Sequence, residues 1–187
     1  MAKFEQAHAI VMKHEGGYAN SANDKGGETY KGVARKRHPG WLGWKIVDAN
    51  KSLPDFPRNL DANESLQRHV LSFYKSEFWD ILSLDSVNDQ SIATELYDTG
   101  VNMGTGIAAI FLQTALNVTN RNEKDYADLK EDGRIGPKTI ATLNGHKRPL
   151  EVLKVLNILQ GSRYIAIMKR DPSQELWFGG WFARVAI

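Results

Sequence analysis

The sequence predicts a mainly helical fold in which a glycine-rich region with a short hairpin follows the first helix. Apolar residues recur at spacings of three and four over much of the chain, whereas glycine and proline concentrate between residues 16 and 58. No internal repeat and no low-complexity linker divides the 187 residues. The sequence therefore predicts a single domain over 1–187, with sub-regions at 1–88 and 89–187.

The composition excludes several classes of protein and of site. Hydrophobic residues make up 42% and charged residues 25%, which are ordinary values for a globular chain with a buried core. The chain has no cysteine, which excludes disulfides, a thiol nucleophile and cysteine-ligated metals. Its net charge of +2 is too small to argue for nucleic acid. We expect neither a secretory signal nor a membrane span, because no apolar run is long enough for either.

Glycine residues determine where the first helix ends and why the region after it is irregular. Residues 2–15 have an apolar stripe at helical spacing, and Gly16 and Gly17 end the helix. Residues 16–58 are too rich in glycine and proline for regular helix, so we expect loops with a short hairpin around 29–34. A long irregular segment inside a compact domain usually has a function, which makes this region the candidate site.

The remaining helices are predicted where capping residues precede apolar periodicity. Their expected ranges are 61–79, opened by capping-box spacing from Asp61 to Glu64, then 89–103, 105–118, 137–143 and 150–168. The helix over 105–118 is apolar on most sides, so we expect it to be the buried central helix. The aromatic tail from Trp177 to Arg184 is predicted to pack as a lid rather than to bind a ligand.

Two short motifs resemble known signatures and fail their structural requirements. His14 and Glu15 begin a HExxH zinc motif, but Tyr18 occupies the position of the second histidine, and the other histidines have no ligand spacing. We therefore expect no metal site. The GxGxxA run at 104–109 would bind a dinucleotide only after a strand, and the residues before it are predicted to be helical. A tight turn between helices explains its glycines.

A basic cluster lies in the glycine-rich region beside two tryptophans. Its members are Lys31, Arg35, Lys36, Arg37 and His38, and the tryptophans are Trp41 and Trp44. Such a cluster can contact phosphates or an anionic glycan, but charged runs are more often solvated faces. We therefore expect no nucleic-acid partner.

Two carboxylates and a hydroxyl remain as candidates for catalysis. Glu15 lies at the predicted end of the first helix, where the partial negative charge of the carbonyls raises the pKa of an acid and suits it to donate a proton. Asp24 and Thr29 follow within a glycine-rich loop that can fold back across a cleft. Glycoside hydrolysis uses such a pair of carboxylates, one as acid and one to activate water or stabilise the transition state. The alternative is a solvated glutamate before a glycine cap.

The motifs around these residues resemble glycoside hydrolase family 108. Those proteins are N-acetylmuramidases of bacterial and phage origin, sometimes labelled secretion activators. The matching runs are Glu15-Gly-Gly-Tyr18, Asp24 to Val33, Phe78-Trp79-Asp80, and Asp98 to Gly104 with Leu112-Gln113. Two further runs, Asp132 to Thr139 and Gly180 to Val185, are similar to the peptidoglycan-binding segment that accompanies the family. The resemblance covers nearly the whole chain, with 1–88 as the catalytic segment and 89–187 as the peptidoglycan-binding one.

The resemblance implies a lysozyme-like fold and a hydrolase that cleaves the β-1,4 bond between N-acetylmuramic acid and N-acetylglucosamine. The family's catalytic glutamate falls on Glu15, which becomes the expected general acid. Asp24 is the expected second carboxylate, with Glu28 as its rival, because the gaps only approximate those of phage-type lysozymes. Thr29 is expected to position a water molecule or the loop.

The expected partner is peptidoglycan, and no cofactor is implied. Tyr18, Tyr30 and Asn102 are candidate sugar contacts, with structural packing as an equal alternative. We expect the protein to be made in the cytoplasm, without stable membrane insertion, and to act on the periplasmic wall after release by a holin or an export system. Two alternatives remain: a non-catalytic peptidoglycan-binding or secretion-assisting protein with the same fold, and an amidase.

Overall fold

A computed structural model of the chain describes residues 1–14, 16–20 and 27–185. The helices are α1 (Phe4–Val11), α2 (Gly43–Asn50), α3 (Glu64–Tyr74), α4 (Gln90–Met103), α5 (Thr105–Thr119), α6 (Pro137–Asn144), α7 (Pro149–Arg170) and α8 (Phe178–Phe182). The strands are β1 (Tyr18–Ala19), β2 (Thr29–Tyr30) and β3 (Val33–Ala34), and they form one antiparallel sheet. The predicted mainly helical, lysozyme-like class is confirmed.

The chain forms two compact units. The helical unit comprises Met1–Val11 and Glu77–Ile187, and the sheet unit comprises Met12–Ser76. The sheet unit is thus one continuous stretch between α1 and the rest of the helical unit. The organisation as a single domain with sub-regions at 1–88 and 89–187 stays a prediction.

The core of the helical unit is built around α4, which packs against α1, α5 and α7. The middle of α4 is buried on every side, from Glu95 to Gly100. The predicted central helix, α5, instead keeps an exposed face that includes Val118. The prediction of α5 as the central helix rested on its apolar content and was wrong. Helix α4 is the more deeply buried one, and it contains polar residues whose hydrogen bonds are made by neighbouring segments. Its N-cap is Asp89, whose side chain accepts a hydrogen bond from Ile92 N at 3.0 Å.

A buried polar cluster joins α4, α7 and the end of the chain. We call it the Asp98 cluster, and its members are Glu95, Asp98, Thr99, Gln160 and Arg184. Arg184 pairs with Asp98 at 2.6 Å, and Gln160 Nε2 donates to Asp98 Oδ2 at 2.9 Å and to Thr99 Oγ1 at 3.1 Å. Thr99 Oγ1 in turn donates to Glu95 Oε1 at 3.3 Å. These bonds tie the C-terminal segment to the centre of the helical unit.

The aromatic tail packs only in part. Trp181 of α8 stacks on Tyr164 of α7, with ring centroids 4.9 Å apart and planes inclined by 18°. Leu176, Trp177 and Phe178, which precede this contact, are exposed. The predicted packing role therefore describes the last residues of the tail and not the first.

The sheet unit contains a helix that the sequence did not predict. Helix α2 lies in the stretch expected to be irregular, and it buries Trp44 and Val47 against α3. The helix has eight residues and lies in a stretch rich in glycine and proline, so its apolar pattern is too short to recognise. Helix α3 starts one turn later than predicted, because its N-cap is Asn63 rather than Asp61. The Asn63 side chain accepts from Leu66 N at 2.9 Å.

No helix among the described residues is long and apolar enough to cross a membrane. Within 1–14, 16–20 and 27–185, no three histidine, aspartate or glutamate side chains are placed to hold a metal ion.

Candidate active site

The chain enters the candidate site through a short turn after α1. The α-helix ends at Val11, and a single 3₁₀ turn, Met12–His14, follows it. The predicted α-helix to residue 15 is therefore too long. Glu15 lies outside the described residues, so the electrostatic argument for its pKa stays a prediction. Beyond it, the Gly17 carbonyl accepts a hydrogen bond from Lys31 N at 3.1 Å, which holds the approach to β1 against the β2–β3 turn.

The short hairpin predicted around 29–34 is confirmed, and β1 adds a third strand to it. The paired residues are Tyr18 with Tyr30, Ala19 with Thr29, Thr29 with Ala34, and Tyr30 with Val33. The β2–β3 turn consists of Lys31 and Gly32, both at positive φ (42° and 78°), as a two-residue type I′ turn requires. Asp24 belongs to the connection between β1 and β2 and lies outside the described residues.

Thr29 and Tyr18 lie on adjacent strands. The half-buried Thr29 hydroxyl donates to the Gly27 carbonyl at 3.3 Å, a bond between neighbouring residues that fixes the end of the β1–β2 connection. The Tyr18 hydroxyl donates to Glu28 Oε1 at 2.9 Å, and its ring meets the Phe56 ring edge-on with centroids 4.7 Å apart. Burial and the neighbouring Glu28 carboxylate raise the pKa of Tyr18. Tyr18 is partly exposed, so its ring retains an accessible face.

Tyr30 has a different environment, because its side chain is only 1% exposed. Its hydroxyl donates towards the Leu60 carbonyl at 3.2 Å and Asp61 Oδ1 at 3.3 Å, and accepts from Gln67 Nε2 at 2.9 Å. Burial raises the pKa of Tyr30 to about 12. Both the burial and the bonds favour the packing role over a sugar contact.

Glu28, the rival second carboxylate, is the centre of the polar contacts in the sheet unit. We call its contacts the Glu28 cluster, which comprises Tyr18, Glu28, Arg35 and Lys51. Arg35 Nε lies 2.9 Å from Glu28 Oε2, and Lys51 Nζ lies 2.7 Å from Glu28 Oε1. With the Tyr18 hydroxyl also on Oε1, both carboxylate oxygens are engaged. The Glu28 side chain is 11% exposed.

A second carboxylate, Asp48, binds the same two cations from the other side. Arg35 donates to both Asp48 oxygens, at 2.8 and 3.1 Å, and Lys51 lies 2.8 Å from Oδ1. Arg35 also covers the Trp44 ring, at 4.4 Å from its centroid. Hydrogen bonds from Arg35 and Lys51 lower the pKa of Asp48 to about 2.

Asn102 belongs to the helical unit, whereas the other described candidates belong to the sheet unit. It is exposed on α4, and its Nδ2 donates to the Asp98 carbonyl at 2.8 Å and to Asp98 Oδ1 at 3.3 Å. The structure therefore brings Tyr18, Thr29 and Tyr30 together in one sheet and places Asn102 in the Asp98 region. The assignment of a sugar-binding role to Asn102 stays a prediction.

Sequence reasoning missed the roles of Arg35, Lys51 and Asp48. Arg35 was assigned to a solvated basic cluster, but it is paired with Glu28 and Asp48. Lys31 of the same cluster pairs with Asp61 at 3.4 Å. A signal for Lys51 and Asp48 would have required recognition of α2, since the three-residue spacing of these two residues becomes meaningful only on a helix.

Comparisons with known proteins identify two families along the chain. The family model of glycosyl hydrolase 108 matches residues 8–104, and that of a predicted peptidoglycan domain matches residues 107–186. The solved structure of Brucella abortus SagA is 22% identical, with a TM-score of 0.65 over 97% of this chain and 88% of that chain, which shows a shared fold. No curated protein matches the chain. The two families give the chain a peptidoglycan-related function.

Proposed function

Because the chain belongs to the glycosyl hydrolase 108 family, we propose that it is an N-acetylmuramidase of the lysozyme type. Its reaction is the hydrolysis of the β-1,4 bond between N-acetylmuramic acid and N-acetylglucosamine in peptidoglycan. The observation that carries the proposal is the order of the two matches. A glycosidase region at 8–104, which contains the intact Glu15-Gly-Gly-Tyr18 run, is followed at once by a peptidoglycan domain at 107–186.

In this mechanism Glu15 is the general acid that protonates the glycosidic oxygen as the bond breaks. Asp24 is the ionised partner that activates water or stabilises the oxocarbenium-like transition state. Thr29 supports the loop, since its hydroxyl already bonds to Gly27 at the end of the segment that carries Asp24. Tyr18 offers a partly exposed ring on which a sugar face can pack.

The contacts of Glu28 support Asp24 as the second carboxylate. A general base must reach a water molecule and accept its proton. Both oxygens of Glu28 already face Tyr18, Arg35 and Lys51, and its small exposed fraction leaves little room for water. Asp24 is the other carboxylate in the matched motif, which makes it the better candidate.

The site of action follows from the substrate. Peptidoglycan lies outside the inner membrane, so the proposal requires release of a cytoplasmically made protein to the periplasmic wall. A holin or an export system is the proposed route. The peptidoglycan domain at 107–186 would hold the enzyme on the wall between cleavages.

The test is Glu15→Gln, assayed by release of reducing sugars from purified peptidoglycan sacculi. Loss of the proton donor should lower the rate by about a thousandfold, within the range that general acid catalysis contributes. Glu5→Gln is the matched control, since Glu5 is an exposed acid of α1 and should leave the rate unchanged. Activity of Glu15→Gln within tenfold of the wild type would sink the assignment.

Two further measurements on the same sacculi separate the alternatives. Wall binding in a pulldown without sugar release would identify a non-catalytic peptidoglycan-binding or secretion-assisting protein. Mass spectrometry of the reduced products identifies the bond that is cut. A muramidase leaves N-acetylmuramic acid at the new reducing end, whereas an amidase leaves the glycan intact and frees the peptide.

A further inference from the structure

Glu28 lies directly before β2, and its side chain contacts three other segments of the sheet unit. Its oxygens meet the Tyr18 hydroxyl on β1, Arg35 directly after β3, and Lys51 directly after α2. Its backbone carbonyl also accepts from Arg35 N at 2.8 Å. Glu28 thus links the two edge strands of the sheet, β1 and β3, to the end of α2.

Glu28 is also adjacent to the candidate site. It directly precedes Thr29, and the residue it binds on β1 is Tyr18, the candidate sugar contact. The sheet itself is short, with two residues in each strand, so few backbone bonds fix β1 against β2. Charge-assisted contacts to a largely buried carboxylate supply the constraint that such a small sheet lacks.

We propose that Glu28 is a positioning residue of the candidate active site, which acts through Tyr18 and Thr29. It holds the Tyr18 ring in the orientation that receives a sugar and fixes the start of β2, where Thr29 lies. The inference rests on the proposed glycosidase function. It assigns Glu28 a role in arranging the site and no role in proton transfer.

Asp48 provides a matched control within the same set of charges. It binds Arg35 and Lys51 as Glu28 does, but it lies on α2 and makes none of the contacts to β1 or β2. Glu28→Gln and Asp48→Asn therefore each remove one negative charge from the same two cations. Only Glu28→Gln weakens the link to Tyr18 and to the start of β2.

The main experiment measures kcat, KM and the pH profile of both variants on soluble glycan strands prepared from peptidoglycan. For Glu28→Gln we expect kcat to fall about 100-fold, as for small misplacements of catalytic groups, with the acidic limb of the profile retained. Asp48→Asn should stay within about twofold of the wild type. Equal losses in the two variants would reduce Glu28 to a structural ion pair. Loss of the acidic limb in Glu28→Gln would identify Glu28 as the base.

A double-mutant cycle tests the link through Tyr18. Tyr18→Phe removes the hydroxyl, which binds Glu28 and also the Asn20 side chain, and we expect it to lower kcat/KM by about tenfold. Because Glu28→Gln weakens the same hydrogen bond that Tyr18→Phe removes, the combined loss should be smaller than the product of the two single losses. Additive losses would contradict the proposal, since they would mean that the two residues act independently.

Amide hydrogen exchange does not depend on catalytic activity, so it separates failure of the inference from failure of the proposed function. Amide hydrogen exchange at residues 18–20 and 28–34 should be about tenfold faster in Glu28→Gln than in Asp48→Asn, because the former loosens the sheet locally. A wild type that releases no sugar refutes the proposed function, and the exchange rates still report on Glu28. Equal exchange in both variants would overturn the inference.

Discussion

The Glu28 cluster of the sheet unit and the Asp98 cluster of the helical unit both centre on an arginine and a carboxylate, yet they differ in burial and charge balance. Around Glu28, two carboxylates face two cations, if Asp48 is counted, and the four side chains are partly exposed. Among the described residues of the Asp98 cluster, two carboxylates lie with one cation, Arg184, and both members of the ion pair are at most 10% exposed. The remaining Asp98 partners are neutral.

The two clusters shift the pKa values of their carboxylic acids in opposite directions. Hydrogen bonds from Arg35 and Lys51 lower the pKa of Asp48 to about 2, so it is ionised over the working range of pH. Burial and the neighbouring Asp98 raise the pKa of Glu95 to about 7. A charge-balanced and partly exposed network thus keeps its carboxylates ionised, whereas the buried network with an excess acid keeps a proton on Glu95 up to about pH 7.

The largest effect is expected from Asp98→Asn. The substitution removes the carboxylate that pairs with the buried Arg184 guanidinium at 2.6 Å, which should lower the free energy of unfolding by about 3–5 kcal/mol. Urea titrations followed by circular dichroism at pH 7 measure it. In the double variant Asp98→Asn with Arg184→Met, part of the loss should be recovered, because the buried positive charge is removed together with the carboxylate that paired with it. A single-variant loss below about 1 kcal/mol would mean that this pair behaves like a hydrated one.

The next effect concerns the proton on Glu95. The pKa of Glu95 rises on folding from an ordinary value of about 4.5 to about 7, so the folded state binds the proton more tightly. This tighter proton binding adds about 3 kcal/mol to the free energy of unfolding. The added stability is fully present below pH 4.5 and is lost as the pH rises through 7. We expect Glu95→Gln to abolish this decline and to be more stable than the wild type at pH 8.

Thermal and urea unfolding between pH 4 and 8 provide the measurement. Glu64→Gln is the matched control, because Glu64 is an exposed helical glutamate and should leave the pH dependence unchanged. If Glu95→Gln and the wild type decline in parallel, the Asp98 cluster holds two ionised acids and the contrast between the clusters disappears.

The sequence predicted the elements that depend on local pattern. The ranges 89–103, 105–118 and 137–143 agree with α4, α5 and α6 within about one residue, because the N-cap Asp89 and the first-turn proline Pro137 mark where helical periodicity begins. The hairpin around 29–34 was also predictable, since Lys31-Gly32 supplies the positive φ of its turn.

The contacts that define both clusters depend on packing between distant segments. Arg184 and Asp98 are 86 residues apart, and no local rule pairs them. Lys51 reaches Glu28 only because α2 exists, and α2 has too short an apolar pattern to be recognised. The candidate acids Glu15 and Asp24 could be named from the motif, with Glu28 as the rival of Asp24. Its role depended on knowing which cations surround it.

The smallest effect is expected from Asp48→Asn. This substitution tests whether solvent screens the ion pairs around Glu28. The Asp48 side chain is 47% exposed, so solvent screens its pairs with Arg35 and Lys51, and the free energy of unfolding should fall by at most about 1 kcal/mol. Because the folded pKa is lowered from about 3.8 to about 2, the wild type has this contribution above pH 4 and loses it as the pH falls towards 2.

Asp48→Asn should lack that acid-dependent loss, and the difference between it and the wild type at pH 7 should shrink in about 1 M salt, where the Debye length is about 3 Å. Urea titrations at low and high salt and at pH 2 to 5 supply the test. A loss above about 2 kcal/mol that salt does not change would place Asp48 with the buried pairs. The two clusters would then differ in charge balance but not in how strongly solvent screens their charges.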